Sequence, residues 1–354
     1  MKTSSSGHQE SSDASFMETE SSDADTFSSY ARRAHHAGSW YSSDADDLDD
    51  MLSKFLADAD DDDGGDDVDV PSNTENTSAP GGIPNACISP HAGFRYSGPT
   101  AAYSYLALKE AILKNSSLRT IVVLHPSHHA YLDGCAMSGA SRIETPLGNL
   151  KVDVNLREQL LSTNKFGIME RMIDEEEHSG EMQYPYIAKI INDARTETGE
   201  QYSLRVLPIM VGSTKTSREE AFGRLLSPYL SDVGVFTVVS SDFCHWGRQF
   251  SYTPQPSKTE NILQIHEYIE HLDKKGMNLI EMQRPGAFAD YLRKYSNTIC
   301  GRHPISVWLY SLRESALTHE VRFVNYAQSE KARTTRDHSV SYAGAVSRVA
   351  LFNG

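Results

Sequence analysis

Short β-rich runs separated by helical stretches govern what this chain can fold into. The runs fall at Ala86–Ser89, Thr120–Leu124, Cys135–Ser138, Leu204–Val211, Val235–Ser240, Val321–Tyr326 and Val340–Val346. Most are rich in the branched residues that fit a pleated, buried surface. Between them Glu181–Ile191, Arg218–Leu230, Asn261–Lys275, Ala287–Tyr295 and Pro304–Leu317 read as helices. In Asn261–Lys275, Ile262, Ile265, Ile269 and Leu272 share one face, and Gly276 is the expected stop. Strand–helix alternation predicts a single α/β domain with a mostly parallel or mixed central sheet flanked by helices. No internal repeat interrupts it.

Ahead of that body the sequence changes character. Residues 1–33 are mainly Ser, Asp, Glu and Thr with almost no aliphatic side chains, so they are expected to form a disordered acidic tail before a domain spanning 34–354. Leu48, Met51, Leu52, Phe55 and Leu56 then repeat at helical spacing, with Ser43 and Asp46 as the expected capping pair. Asp58 to Gly82 reads as a flexible Asp-rich insertion, without the alternating ligands of a calcium loop.

Charge follows the same division. Of 48 acids and 33 bases in the chain, 20 acids but only 4 bases lie in residues 1–80. The remainder is close to neutral, so no basic surface marks a nucleic-acid partner. No apolar run reaches the roughly 18 residues of a membrane helix, so no membrane insertion is expected. Cys87, Cys135, Cys244 and Cys300 are far apart with no CxxC pair, which fits free thiols in a reducing compartment. The cytoplasm is the expected location, with the nucleus as the other reducing option.

Four polar segments follow or flank the predicted elements. They are Ser89–Phe94, His125–His129, Ser240–Trp246 and Thr298–Pro304. Ligands of open α/β sheets gather beyond the carboxyl ends of the strands, so three clusters at strand ends have a reason to converge. The residues able to meet there include His91, His128, His129, Asp242, Cys244, His245 and Cys300. Imidazole and thiolate bind Zn, Cu and Fe, whereas two His with one carboxylate is the facial set of non-haem Fe(II). Asp242 supplies a carboxylate for the third position and Cys300 a thiolate. The thiol of Cys300, beside Arg302 and ahead of a helix with Pro304 as its expected first residue, is expected to have a lowered pKa. A lone histidine after a strand is more often a turn residue bonded to backbone; several together point to a site. Cys87 and Cys135 read as packing, and Cys244 ranks below Cys300 because strand alternation turns it to another face. His266 reads as partly buried, His36 as a capping residue ahead of the first helix that could instead reach the cleft, and Glu175-Glu176-Glu177-His178 as a solvated segment with Ser179 as a cap.

Taken with His36–Tyr41, Thr145–Gly148 and Glu177–Glu181, these segments resemble the Memo family, whose fold is similar to the class III extradiol non-haem iron dioxygenases. The resemblance runs from about Ala34 to the C-terminus and leaves out residues 1–33 and 58–82. It implies a cleft in which His91, His128 and Cys300 are metal ligands, where the dioxygenases hold Fe(II) with two His and a Glu. It further implies that Asp242 and His245 line that cleft, with His245 at the acid/base position. A thiolate in place of the carboxylate shifts preference toward softer ions, so Fe(II), Cu and Zn are the candidate cofactors. One departure is His125, where related chains more often carry a small residue. The resemblance implies an intracellular adaptor in signalling and cell motility that binds phosphotyrosine peptides. Arg302 and protonated His would meet the phosphate, and Trp40, Tyr41, His129 and Trp246, with Phe94, would surround the ring. The same aromatics have the apolar mass of core residues. The alternative is a metal-dependent oxidoreductase related to the dioxygenases; enzyme status stays open.

Overall fold

A computed structural model describes residues 30–62, 82–256 and 264–349 of the chain. Four parallel strands form the middle of the sheet, in the order Arg205–Val211, Thr120–Pro126, Val235–Ser240 and Ile83–Ser89. Every residue of Thr120–Pro126 and Val235–Ser240 is buried, the continuous apolar pattern of strands covered by helices on both faces. Beyond Ile83–Ser89 the sheet turns antiparallel, through Ser339–Val349 and then His319–Gln328. Beyond Arg205–Val211 it continues through the short strands Leu150–Val152, Arg142–Ile143 and Ala31–Arg32. The mixed sheet and its helices form the expected α/β architecture.

Order starts earlier than the composition suggests. Tyr30 to Arg33 fall in the expected tail, yet Ala31–Arg32 pairs with Arg142–Ile143, and Arg32 is buried with two carboxylates. Residues 1–29 lie outside the described residues. The first helix, Ala45–Asp61, buries Leu48, Leu52, Leu56 and Ala59 and runs through the first residues assigned to the insertion. Its cap is Asp44 rather than Ser43: the Asp44 carboxylate accepts the N–H of Asp46 at 3.0 Å and of Asp47 at 3.1 Å. Most of the expected insertion, 63–81, is outside the described residues.

The helix Phe94–Lys114 carries no sequence signal of its own. Gly98-Pro99 punctuates it, and burial on several sides, through Ala101, Ala102, Tyr105, Leu108 and Ala111, removes the one-faced periodicity. Gly98 is needed there, since a Cβ would stand 2.5 Å from the Phe55 ring. Similarly, Gly276 does not stop its helix, which runs Ile265–Glu281; the missing side chain admits the Tyr291 ring, 3.0 Å from where a Cβ would be. The predicted start of that helix, 261–263, lies outside the described residues. The last helix, Arg302–Glu314, begins two residues before Pro304.

Candidate metal centre

Sheet register brings the polar segments together. Ser89 stands opposite Ser240 in the parallel pair, so His91 and Asp242 leave the sheet at the same level. The backbone N–H of His91 donates to Asp242 Oδ1 at 2.8 Å. Thr120–Pro126 runs alongside with Leu124 opposite Val239, which puts His128 at the same edge. Cys300 arrives from the turn before the last helix. That turn lies directly on the strand end, since a Cβ on Gly301 would be 2.3 Å from Ser241 Cβ. The donor atoms of His91, His128 and Cys300 all lie within 4.8 Å of one another, and His91 Nε2 is 3.1 Å from Cys300 Sγ.

The hydrogen bonds behind the imidazoles fix which nitrogen faces the cluster. Ser240 Oγ donates its only proton to Ser179 O (2.7 Å), so toward His91 Nδ1, 2.8 Å away, it accepts. Gln183 Nε2 donates to the same oxygen at 2.9 Å. His91 is therefore protonated on Nδ1 and turns the Nε2 lone pair to Cys300. Glu177 Oε1 accepts from His128 Nδ1 at 2.9 Å, so Nε2 is the nitrogen turned to the cluster. His245 Nδ1 faces the carbonyls of Phe243 (2.9 Å) and Thr298 (3.2 Å), so its Nε2 is also free. Metal-binding histidines are oriented in this way, by an acceptor on the nitrogen that does not bind.

Burial and crowding set the charges. Burial, with His128 and His178 nearby, keeps the His91 pKa well below the usual imidazole value. Burial also pulls on His128, but Cys300 and Glu177 outweigh it and push its pKa up to about 10. His178 is held near 3 by burial and by His128, because one imidazolium disfavours a second beside it. Burial raises Asp242. It also raises Cys300, against the lowering that the helix start and Arg302 suggested: the thiol is enclosed, and Asp242 adds to the rise against the pull of His128. The backbone N–H of Asp242 at 3.3 Å is a ready donor to the sulfur once the proton leaves.

His128, His245, Cys300 and Arg302 line one cavity of about 360 Å³ together with Phe250, Thr298 and His303. His129 is exposed and does not line this cavity, its ring 5.8 Å from that of His178. Trp40 is half-buried, its ring 4.4 Å from that of His178 and tilted 32° to it. Two expected peptide contacts are elsewhere. Tyr41 is core, its hydroxyl donating to Glu181 at 2.8 Å, and Phe94 packs on its ring. Trp246 is fully buried in a separate cluster with Cys244, Tyr252 and Ile269. Strand alternation explains it: Trp246 follows His245 and points the opposite way.

His125 is enclosed. Its Nδ1 meets Ser179 Oγ and Pro126 O, both at 3.1 Å, and its other edge lies against Gly180. His36 is bonded through Nδ1 to Glu181 at 3.2 Å. Cys87 and Cys135 are buried as packing, and His266 is half-buried as expected.

The segment read as solvated is the largest correction. Glu175 and Glu177 are buried, and Glu177 caps the short helix His178–Glu181 while holding both the ring and the backbone N–H of His128. His128, Glu177 and His178 also satisfy the spacing of a metal group. The Glu177 oxygens, however, are already occupied by three N–H donors, from His128 twice and from Ser179. Glu177 thus supports the first group and does not make a second one. Three adjacent glutamates give no sign of this; the one signal is the histidine that follows them.

Fold and site together define a class: an α/β protein with two histidines and a cysteine gathered at the carboxyl edge of its sheet. The family model described as Memo-like protein matches residues 32–346, and the chain belongs to the Memo family. It is 40% identical to Protein memo-1 homolog of Caenorhabditis elegans over 324 residues, 90% of this chain and 83% of the relative. Protein MEMO1 of Rattus norvegicus and of Homo sapiens are each 40% identical over 315 residues, 88% of this chain and 95% of theirs. The crystal structure of an uncharacterized Escherichia coli K12 protein is 12% identical, with a TM-score of 0.43 over 74% of this chain and 99% of its own.

Proposed function

We propose that this Memo-family chain is an intracellular signalling adaptor whose strand-edge cleft holds a transition ion and receives a phosphotyrosine peptide. The carrying observation is the convergence of His91, His128 and Cys300 within 4.8 Å, with the second nitrogen of each imidazole tied to an acceptor. The donor set fits a metal: once His128 and Cys300 have released their protons, two imidazoles and a thiolate suit Cu best, then Zn, with Fe(II) less well matched to sulfur than to a carboxylate. A bound ion would supply Lewis acidity or a redox couple. Binding it requires both Cys300 and His128 to release a proton, so affinity rises with pH.

Arg302 lines the same cavity as His128, and its guanidinium has no carboxylate partner among the described residues. That leaves it available to a phosphate. Trp40 and Phe250 replace Tyr41 and Trp246 as the aromatic surfaces near the cleft. Metal analysis of protein purified without chelator should find close to one equivalent of Cu, Zn or Fe in the wild type and far less in Cys300→Ser. Phosphotyrosine-peptide affinity should collapse in His91→Ala; unchanged affinity would remove the cleft as the peptide site.

One observation favours the second reading, a metal-dependent oxidoreductase. His245 lines the ligand cavity with its Nδ1 tied to carbonyls, and buried Asp242 stands behind Cys300, so a proton can be accepted at His245 Nε2. On that reading the metal-loaded protein consumes dioxygen with a suitable reductant, and His245→Gln lowers the rate without lowering metal content.

A further inference from the structure

A second cavity, of about 510 Å³, lies beside the metal cleft, and Thr298, Arg302 and His303 line both. Its remaining wall sets Lys215, Arg293 and Ser306 beside the apolar Ala289 and Leu292. The carboxylate in this wall, Glu219, is engaged by His303 Nδ1 at 2.6 Å. Arg293 is likewise taken up by Asp290. Lys215 and Arg302 differ: neither has an ion-pair partner among the described residues, although both line the cavity. Two cations without acids, beside hydroxyls and in a concave wall, are arranged for an incoming anion.

We propose that this second cavity is a subsite for the acidic side chains of a peptide whose phosphotyrosine occupies the metal cleft. The inference rests on the phosphotyrosine reading for what fills the cleft itself. Continuity decides the class of ligand. An extended peptide advances about 3.3–3.6 Å per residue, so residues one or two positions from the phosphotyrosine fall across the shared Thr298–Arg302 wall. Arg302 then faces the phosphate on one side and a carboxylate on the other, while Lys215 meets only the carboxylate. The site thus selects acidic flanks and rejects basic ones.

The test uses the full chain and two labelled peptides, Ala-Ala-pTyr-Ala-Ala and Glu-Glu-pTyr-Glu-Glu, read by fluorescence anisotropy. The glutamate-flanked peptide should bind about tenfold tighter at low salt, the sum of two partly screened ion pairs, and the preference should shrink at high salt. Lys215→Gln should reduce the preference to about twofold or less and leave the alanine-flanked affinity unchanged, and Lys215→Glu should invert the preference. Equal affinities of the two peptides for wild type, or a preference untouched in Lys215→Gln, would overturn the subsite. Failure of both peptides to bind defeats the phosphotyrosine reading instead. The subsite is then decided by tetraglutamate alone, and binding that is absent or independent of Lys215 overturns it.

Discussion

Glu177→Gln replaces one oxygen by an NH₂ group and removes a charge, at a side chain only 1% exposed. Oε1 accepts from His128 Nδ1 and from the Ser179 N–H, both at 2.9 Å, and Oε2 accepts the His128 N–H at 2.6 Å. All three partners are donors, so the new NH₂ must face at least one of them. Turned toward the backbone N–H of His128, it leaves that donor unsatisfied, a loss of about 1–3 kcal/mol. Turned toward the ring, it forces the proton to Nε2, which then has no lone pair for a metal. Loss of such a supporting carboxylate lowers metal affinity about 10–100-fold, or roughly 1.4–2.7 kcal/mol. Competition titration of Cu(I) or Zn(II) against a chelator reads this directly, with unfolding by urea as the check that the variant is folded. A folded Glu177→Gln protein with affinity within about twofold of wild type would refute the argument that Glu177 sets the tautomer of His128.

Three other outcomes follow from the packing. Arg32→Met should destabilise the protein by about 3–5 kcal/mol in urea unfolding, because it strands Asp174 and Glu181, which now lie 3.2 and 2.7 Å from the guanidinium; a loss below about 1 kcal/mol would mean the remaining donors suffice. Asp273 accepts from Asn297 at 2.9 Å and Tyr326 at 3.0 Å, and burial raises its pKa from 3.8 to about 6. The folded state therefore holds this proton more tightly than the unfolded one: the contribution is full below pH 3.8 and is lost as pH rises through about 6. Asp273→Asn should gain on wild type between pH 4 and 7 by up to about 3 kcal/mol, and parallel urea curves across that range would contradict it. Gly223→Ala would put a Cβ 2.4 Å from Tyr310 Cβ and 2.8 Å from Val307 O; the helix-propensity gain of about 1 kcal/mol should be outweighed by overpacking of about 1–3 kcal/mol, lowering the Tm.

What is legible in the sequence is what depends on neighbours along the chain. Strand ends are marked by branched residues giving way to Ser, Pro and His, so the edge bearing His91, His128 and Asp242 can be read from the order of residues alone. Helix Ile265–Glu281 is announced by its apolar face of Ile265, Ile269 and Leu272. Features set by distant partners leave no such mark. Three adjacent glutamates look like surface until Arg32, Arg33 and His128 are brought to them from elsewhere in the chain. Tyr41 and Trp246 have the chemistry of ring-binding residues, and only tertiary packing assigns them to the interior. The long helix after Phe94 escapes for a related reason: a segment buried on several sides loses the contrast by which a helix is read.

The arrangement of the sheet also has a consequence for biosynthesis. His91 and Cys300 are separated by 209 positions, and the strand carrying His91 is paired on one side with Ser339–Val349, the last strand described. A ribosome that has released the two histidines has made only a bidentate half-site, beside a strand whose outer neighbour does not yet exist. The sulfur ligand and the closing strand emerge long after them, one close behind the other. On the proposed metal reading, uptake is therefore a late event that needs a chain carrying both, and nascent chains stalled before residue 300 should carry no ion at this site.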